Sequence, residues 1–244
     1  MRLSSYSLLF VLIVIIFQAC SQEKRTDRRQ ITKVNETIVI DGLPEEKIWS
    51  SLPWSLLNHT WLGEAYSNKD FSGRYKITWD EEQLYILAEI IDDTLIDTHI
   101  DALKKYWDDD CLEIFIDEDG SKGDHQYTHN AFAYHVSLTG QVVDIGLDKQ
   151  AHFYDHVKAV RKTTGNKTIR EASVKLYNDQ YNEGRVQQPE RLHENKMIGF
   201  ALAYCDNDYS EERENFIGSI AVEGEDKNRG WIDAGIFEPC ILIK

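Results

Sequence analysis

Short runs of alternating apolar and polar residues, each closed by turn formers, recur along almost the whole chain. Arg74-Tyr75-Lys76-Ile77-Thr78-Trp79 alternates and stops at Asp80-Glu81-Glu82, residues 111–116, 131–138 and 142–145 repeat the pattern, and residues 84–91 form a more continuous apolar run. Successive side chains of a strand point to opposite faces. Alternation therefore predicts sheets buried on one face, and a continuous run predicts a strand covered on both. Further strand candidates are residues 37–40, 154–160, 171–176, 198–203 and 241–243. Residues 45–51, behind Pro44, read as one short helix, because proline suits the first helical position, and the polar residues 178–195 read as a long loop. Many short strands without helical periodicity predict an all-β, jelly-roll-like antiparallel β-sandwich as a single domain over residues 31–244.

The front of the chain reads differently. Residues 8–17, LLFVLIVIIF, are too few to span a bilayer and have the size of a signal-peptide core. The run ends at Ala19-Cys20, and a cysteine in that place resembles the lipobox of bacterial lipoproteins, where it becomes the lipidated first residue. The expectation is a lipoprotein signal peptide at 1–19, lipidation at Cys20, a charged tether over 20–30, and a protein anchored in the bacterial cell envelope. Ordinary secretory cleavage near Ala19 is the alternative. The chain carries 27 Lys and Arg against 42 Asp and Glu, a net charge of −15. That balance argues against nucleic acid, which needs clustered cations, and suits calcium or neutral sugars. Cys111, Cys205 and Cys240 have no zinc or redox spacing and read as buried free thiols, with a Cys205–Cys240 pair left open.

Three segments then stand in order: Ile40-Asp41-Gly42 with Glu45-Glu46-Lys47-Ile48-Trp49; Trp79-Asp80 with Leu84-Tyr85; and Trp107-Asp108-Asp109-Asp110-Cys111-Leu112-Glu113-Ile114-Phe115-Ile116-Asp117. A fourth lies near the end, Ile198-Gly199-Phe200 followed by Trp231 and Phe237. Together they resemble carbohydrate-binding module family 9, over roughly residues 34–244. The resemblance implies a β-sandwich that binds an oligo- or polysaccharide, such as a chain end clamped between two tryptophans, and that carries structural calcium. It makes Trp107 and Trp231 the clamp, with Glu113 and Asn228 bonding sugar hydroxyls. The family has an arginine in the strand corresponding to residues 131–138; His135 stands there instead, a departure that bears on which sugar is bound. The resemblance also implies binding without catalysis, alongside glycoside hydrolases of a glycan-utilisation system.

The residues support this chemistry on their own terms. A pyranose has apolar C–H faces and a hydroxyl rim, so its site needs flat aromatic rings and polar groups at their edge. Trp107 and Trp231 both lie in polar stretches, where a large apolar ring needs a partner; the structural alternative is that they cap the ends of the sandwich. Leu112, Ile114 and Ile116 fall on one strand face, and Glu113 on the other, either facing a ligand or paired with Arg229. Trp49, Trp54 and Trp79 read as structural, and Trp61 as core or an outlying extension of the binding surface. His125/His129 and His152/His156 have four-residue spacing but no helical context for a metal site. Acidic clusters at Asp92-Asp93, Asp108-Asp109-Asp110 and Asp206-Asn207-Asp208 suit calcium without defining its ligands. Two alternatives stay open: a sandwich that serves only as an interaction scaffold, and a haem-binding relative with His135 as axial ligand and Met197 as the one methionine beyond Met1.

Overall fold

The computed structural model describes residues 28–99 and 101–244. The expected signal peptide, Cys20 and most of the tether lie outside the described residues. In chain order the strands are β1 (Arg29–Thr32), β2 (Ser55–Leu57), β3 (His59–Leu62), β4 (Phe71–Trp79), β5 (Leu84–Asp92), β6 (Cys111–Asp117) and β7 (Phe132–Ser137). They continue with β8 (Val142–Ile145), β9 (Ala151–Phe153), β10 (Val157–Thr164), β11 (Lys167–Val174), β12 (Met197–Asp206), β13 (Asn215–Gly218) and β14 (Glu238–Ile243). One short helix, α1, spans Lys47–Ser51.

Among the described residues the strands form two sheets, as the alternation predicts. One has the order β10-β11-β5-β4-β2; the other runs β1-β14-β12-β6-β7-β8-β9, with β13 joining β12 to β3. Every pairing is antiparallel except that of β1 with β14. The main core lies between the sheets. Leu112, Ile114 and Ile116 pack there with Phe132, Tyr134, Phe200 and Leu202, against Tyr75, Ile77, Ile86, Ala88 and Ile90 of the smaller sheet. Two satellite clusters cover the outer faces. Val34, Ile38, Ile40 and Trp49 sit on Tyr85 and Leu87 of β5, which is why that strand is apolar on both faces. Trp61, Phe115, Phe216 and Phe237 pack on the outside of the larger sheet.

Several sequence expectations need correction. Residues 37–40 join no sheet; Ile38 and Ile40 alternate because one row of side chains lies on β5. The strand expected at 154–160 begins only at Val157, because Tyr154 turns into the core after β9 ends. The tether ends earlier than expected: Arg29 and Gln30 pair with Cys240 and Ile241 in β1. The long loop before β12 is present and drops Tyr177, Tyr181 and Leu192 onto the core. Cys111, Cys205 and Cys240 are free and buried, and the register partner of Cys205 is Cys111, not Cys240.

Candidate functional site

The register of three central strands lays out the floor of the site. On the outer face of the larger sheet, Ala201, Phe115 and Ala133 form one row across β12, β6 and β7; Ala203, Glu113 and His135 form the next; Cys205, Cys111 and Ser137 form the third. The first row is apolar and lies under the satellite cluster. The second row is charged, and small Ala203 beside it leaves room above. A cleft of about 360 Å³ opens there, lined by Tyr106, Trp107, Glu113, Tyr127, His135, Asp144, Ile145, Arg213, Asn228 and Trp231.

Glu113 is only 2% exposed. A buried carboxylate without partners would take up a proton. Here His135 Nε2 donates to its Oε1 and Arg213 Nη1 lies 3.5 Å from the same oxygen. Burial works against ionisation, but His135 and then Arg213 outweigh it and hold the carboxyl below its ordinary range. Arg213 is fixed in turn: its guanidinium lies 4.2 Å above the Phe216 ring, Nη1 reaches Cys205 Sγ at 3.1 Å, and Nη2 donates to Asn228 Oδ1 at 2.9 Å. The amide is thereby oriented, and no protein hydrogen bond among the described residues uses its Nδ2. Asp144 stands in for a missing strand partner, accepting from the N–H of Ala133 at 2.8 Å. Burial, opposed by that bond, pushes its carboxyl up to about 6.

The aromatic walls are built on loops. Trp107 is 39% exposed, and the edge of Tyr106 supports it, with centroids 4.8 Å apart and planes at 81°. Tyr106 stands edge-on to His135 at 4.7 Å, linking wall to floor. Trp231 ends a 3-10 turn, Arg229–Trp231. Glycine suits position 230, because a Cβ there would press on the Phe115 ring at 3.0 Å. His125 Nε2 donates to the carbonyl of Gly230 at 2.8 Å, and Arg229 Nη1 donates to the carbonyls of Glu223 and Asp226 at 2.7 and 2.6 Å. Arg229 therefore locks its own loop and pairs with Asp233, and does not reach Glu113 as the alternative reading had it.

All five residues singled out from the sequence, Trp107, Trp231, Glu113, Asn228 and His135, line this one cleft. Trp61 does not; it is 5% exposed, packed on Phe115 and Phe216, with its Nε1 donating to the carbonyl of Ile220. Sequence reasoning missed Tyr106, Tyr127, Asp144 and Arg213. The first sat unread beside Trp107, whereas Arg213 lies ten residues beyond Ala203 in a charged loop and reaches Glu113 only through folding. The spaced histidines separate as metal candidates: His129 Nε2 bonds Glu183 at 2.8 Å, His152 Nε2 bonds Asp148 at 2.8 Å, and His156 is buried against Tyr134. His135 offers no ligand to haem iron, since Nε2 faces Glu113 and Nδ1 lies 3.1 Å from the carbonyl of Ala133. Met197 is six positions from Ala203 along β12, roughly 20 Å away.

The acidic segments also converge. Asp92 ends β5, Asp110 precedes β6 and Asp206 ends β12, and one oxygen from each lies within 4.8 Å of the others. All three are buried. Burial, followed by mutual repulsion, pushes Asp110 and Asp206 up to about 8. For Asp92 the leading cause is again burial, and the value is about 6. Hard oxygen ligands crowded together without a cationic side chain fit a calcium ion, which would neutralise them. The other buried trio, Cys111, Glu113 and Cys205, fits a cation poorly because the Arg213 guanidinium already sits against it.

Comparison with known proteins agrees with this architecture. A carbohydrate binding module family 9 from Caldicellulosiruptor kristjanssonii, solved with cellotriose, superposes with a TM-score of 0.64 at 18% identity, covering 88% of this chain and 93% of that one. The glucose-bound structure from the same organism gives 0.63 at 19% identity, covering 88% and 95%. In sequence, the chain is 24% identical over 208 residues to endo-1,4-beta-xylanase C of Paenibacillus barcinonensis, a match to 85% of this chain but 17% of the enzyme. Residues 40–244 match the family described as carbohydrate family 9 binding domain-like. With that match over most of its length and the family's sandwich in its fold, the chain belongs to the carbohydrate family 9 binding domain-like family.

Proposed function

We propose that this chain is a non-catalytic carbohydrate-binding protein that holds a neutral oligosaccharide, end-on, in the cleft above Glu113 and His135. The observation that carries this reading is the joining of two loop tryptophans to a charged but internally neutralised floor in a single cleft. Its volume, about 360 Å³, lies at the lower end of the ~300–1,000 Å³ usual for small-molecule sites. Trp107 and Trp231 would stack on C–H faces, while Glu113 accepts from hydroxyls and the Asn228 amide donates to them. Arg213 supplies a guanidinium near the floor, where His135 replaces the family's arginine. Glu113 is held ionised and so is not arranged as a general acid, and both oxygens of Asp144 already accept backbone N–H groups. That arrangement favours recognition over hydrolysis.

The same reading includes one structural calcium ion held by Asp110 and Asp206, at the ends of two strands that carry the cleft, and by Asp92 at the end of β5 in the other sheet. It also includes anchorage in the bacterial envelope by a lipid on Cys20, for which the apolar run before that cysteine is the support. The test is a glycan-array screen with calcium and with a chelator, repeated with Trp107→Ala and Trp231→Ala. The expected result is a neutral-glycan signal that both substitutions abolish and that chelation weakens. A blank array from folded protein would sink the sugar reading. Equal membrane association of Cys20→Ser would sink the anchor.

A further inference from the structure

Two of the free cysteines share a rung of the larger sheet. Cys205 of β12 and Cys111 of β6 are register partners, both buried in the cluster on its outer face. Their Sγ atoms lie within 4.8 Å of each other. Cys240 stays apart from them: it lies opposite Ile198 and packs into the main core between the sheets. Cys205 Sγ also touches the floor of the cleft, where it accepts from Arg213 Nη1 at 3.1 Å and donates to Glu113 Oε1 at 3.6 Å.

The kind of rung follows from the neighbouring strand. Ser219, the residue after β13, donates its N–H to the carbonyl of Leu202 at 2.8 Å, and its Oγ accepts from the Leu202 N–H at 3.0 Å. Leu202 therefore turns both backbone groups away from β6, and residues 203 and 205 turn theirs toward it. Cys205 and Cys111 thus form a hydrogen-bonded rung, whose Cα atoms stand about 5.5 Å apart, a usual spacing across a disulfide. The Cβ atoms of such a rung are also about 5.5 Å apart, against the ~3.8 Å that a disulfide favours. A bond across this rung carries strain, and strained disulfides are the readily reduced ones. The rung is also the last of the β6–β12 ladder. The end of a ladder opens more often than its middle, which gives a reagent access to sulfurs that the closed sheet buries.

We propose that Cys111 and Cys205 are a redox modification site, closing to a reversible disulfide beneath the floor of the cleft. The oxidant is a small disulfide that reacts by exchange. One protein sulfur attacks it and expels a first small thiol; the second protein sulfur then attacks the mixed disulfide and expels another. Two protein S–H bonds and the S–S bond of the oxidant break. One protein S–S bond forms, and two small thiols leave with both hydrogens and both electrons. The bond ties the strand ends that carry Asp110 and Asp206, and it removes the S–H that donates to Glu113. The site rests on neither the carbohydrate reading nor the calcium reading.

The test equilibrates the full-length protein with graded mixtures of oxidised and reduced glutathione, alkylates the remaining thiols after unfolding, and maps the unreduced peptides. A Cys111–Cys205 cross-link is expected, growing with the oxidised share and lost in excess reduced glutathione, with Cys240 alkylated throughout. The oxidised protein should unfold about 5 °C above the reduced one. Cys111→Ala and Cys205→Ala should each abolish the cross-link and that shift, and Cys240→Ala should keep both. Full alkylation of Cys111 and Cys205 at every ratio would overturn the proposal, as would a cross-link made through Cys20 or Cys240 instead. A shift that persists in Cys111→Ala would overturn it too, and a cross-link that resists reduced glutathione would overturn its reversibility.

Discussion

The two sheets treat their outer faces in opposite ways. On the five-stranded sheet, Tyr85 and Leu87 lie beneath Val34, Ile38, Ile40 and Trp49, and the N-terminal segment seals that face. On the nine-stranded sheet, the cluster of Trp61, Phe216 and Phe237 takes in Phe115 and the small residues Ala203, Cys111 and Cys205 but leaves out Glu113 and His135, which line the cleft. Both faces start from strands with alternating side chains. What separates them is the material laid on top: apolar residues close one, and a charged trio compensated by its own neighbours leaves the other open. A sandwich thus acquires a site where its cover ends, provided that the polar groups left there are satisfied without a ligand.

The sharpest way to break the comparison is Trp49→Ala. Removing this 2%-exposed ring from the sealed face should cost about 3–5 kcal/mol in urea unfolding. Glycan affinity should be unchanged while the protein stays folded, and a parallel loss of affinity would mean that the two faces are coupled.

On the open face, Glu113→Gln should cost about 2–3 kcal/mol of stability and remove glycan binding, because hydrogen bonds to a charged group are lost in a buried place. Its pH dependence has a definite sign. Burial favours the protonated acid, but His135 and Arg213 reverse that and depress the folded pKa. The stabilising contribution is therefore present above the unfolded value of about 4.3 and is lost as pH falls through the lower folded value. Urea midpoints across acidic pH should show that slope in the parent protein and not in the variant.

Asp144 carries the opposite sign in the same cleft. Its folded pKa is raised to about 6, chiefly by burial, so its contribution is fully present below the unfolded value of about 3.9 and is lost as pH rises through 6. Relative to the parent, Asp144→Asn should gain about 1 kcal/mol between pH 5 and pH 8. A flat difference would mean that the carboxyl is not buried as described.

The smallest effect tests how the open wall is held. His125→Ala frees the carbonyl of Gly230 and should loosen Trp231, lowering glycan affinity a few-fold, under about 1 kcal/mol, alongside a stability loss of about 1 kcal/mol from the missing buried imidazole. Loss of the fold would instead make His125 part of the core.

The sequence by itself determined the strands and the residue types of the cleft. Alternation is a local property of backbone geometry, so it placed Glu113 opposite Leu112 and Ile114 without any tertiary knowledge. The family resemblance marked Trp107, Trp231, Asn228 and His135, and for the two tryptophans the residues agree, because a large flat ring in a polar loop is costly unless it has a partner. Boundaries were less legible where an extended segment lies on a sheet without joining it: residues 37–40 alternate for packing, not for pairing. Only the tertiary structure decided the partnerships. Arg213 meets Glu113 across 100 positions, Asp92, Asp110 and Asp206 gather from three strand ends, and Cys205 comes to lie opposite Cys111. The physical reason is that charge compensation acts through space at a few ångströms, whereas the sequence reports only neighbours along the chain.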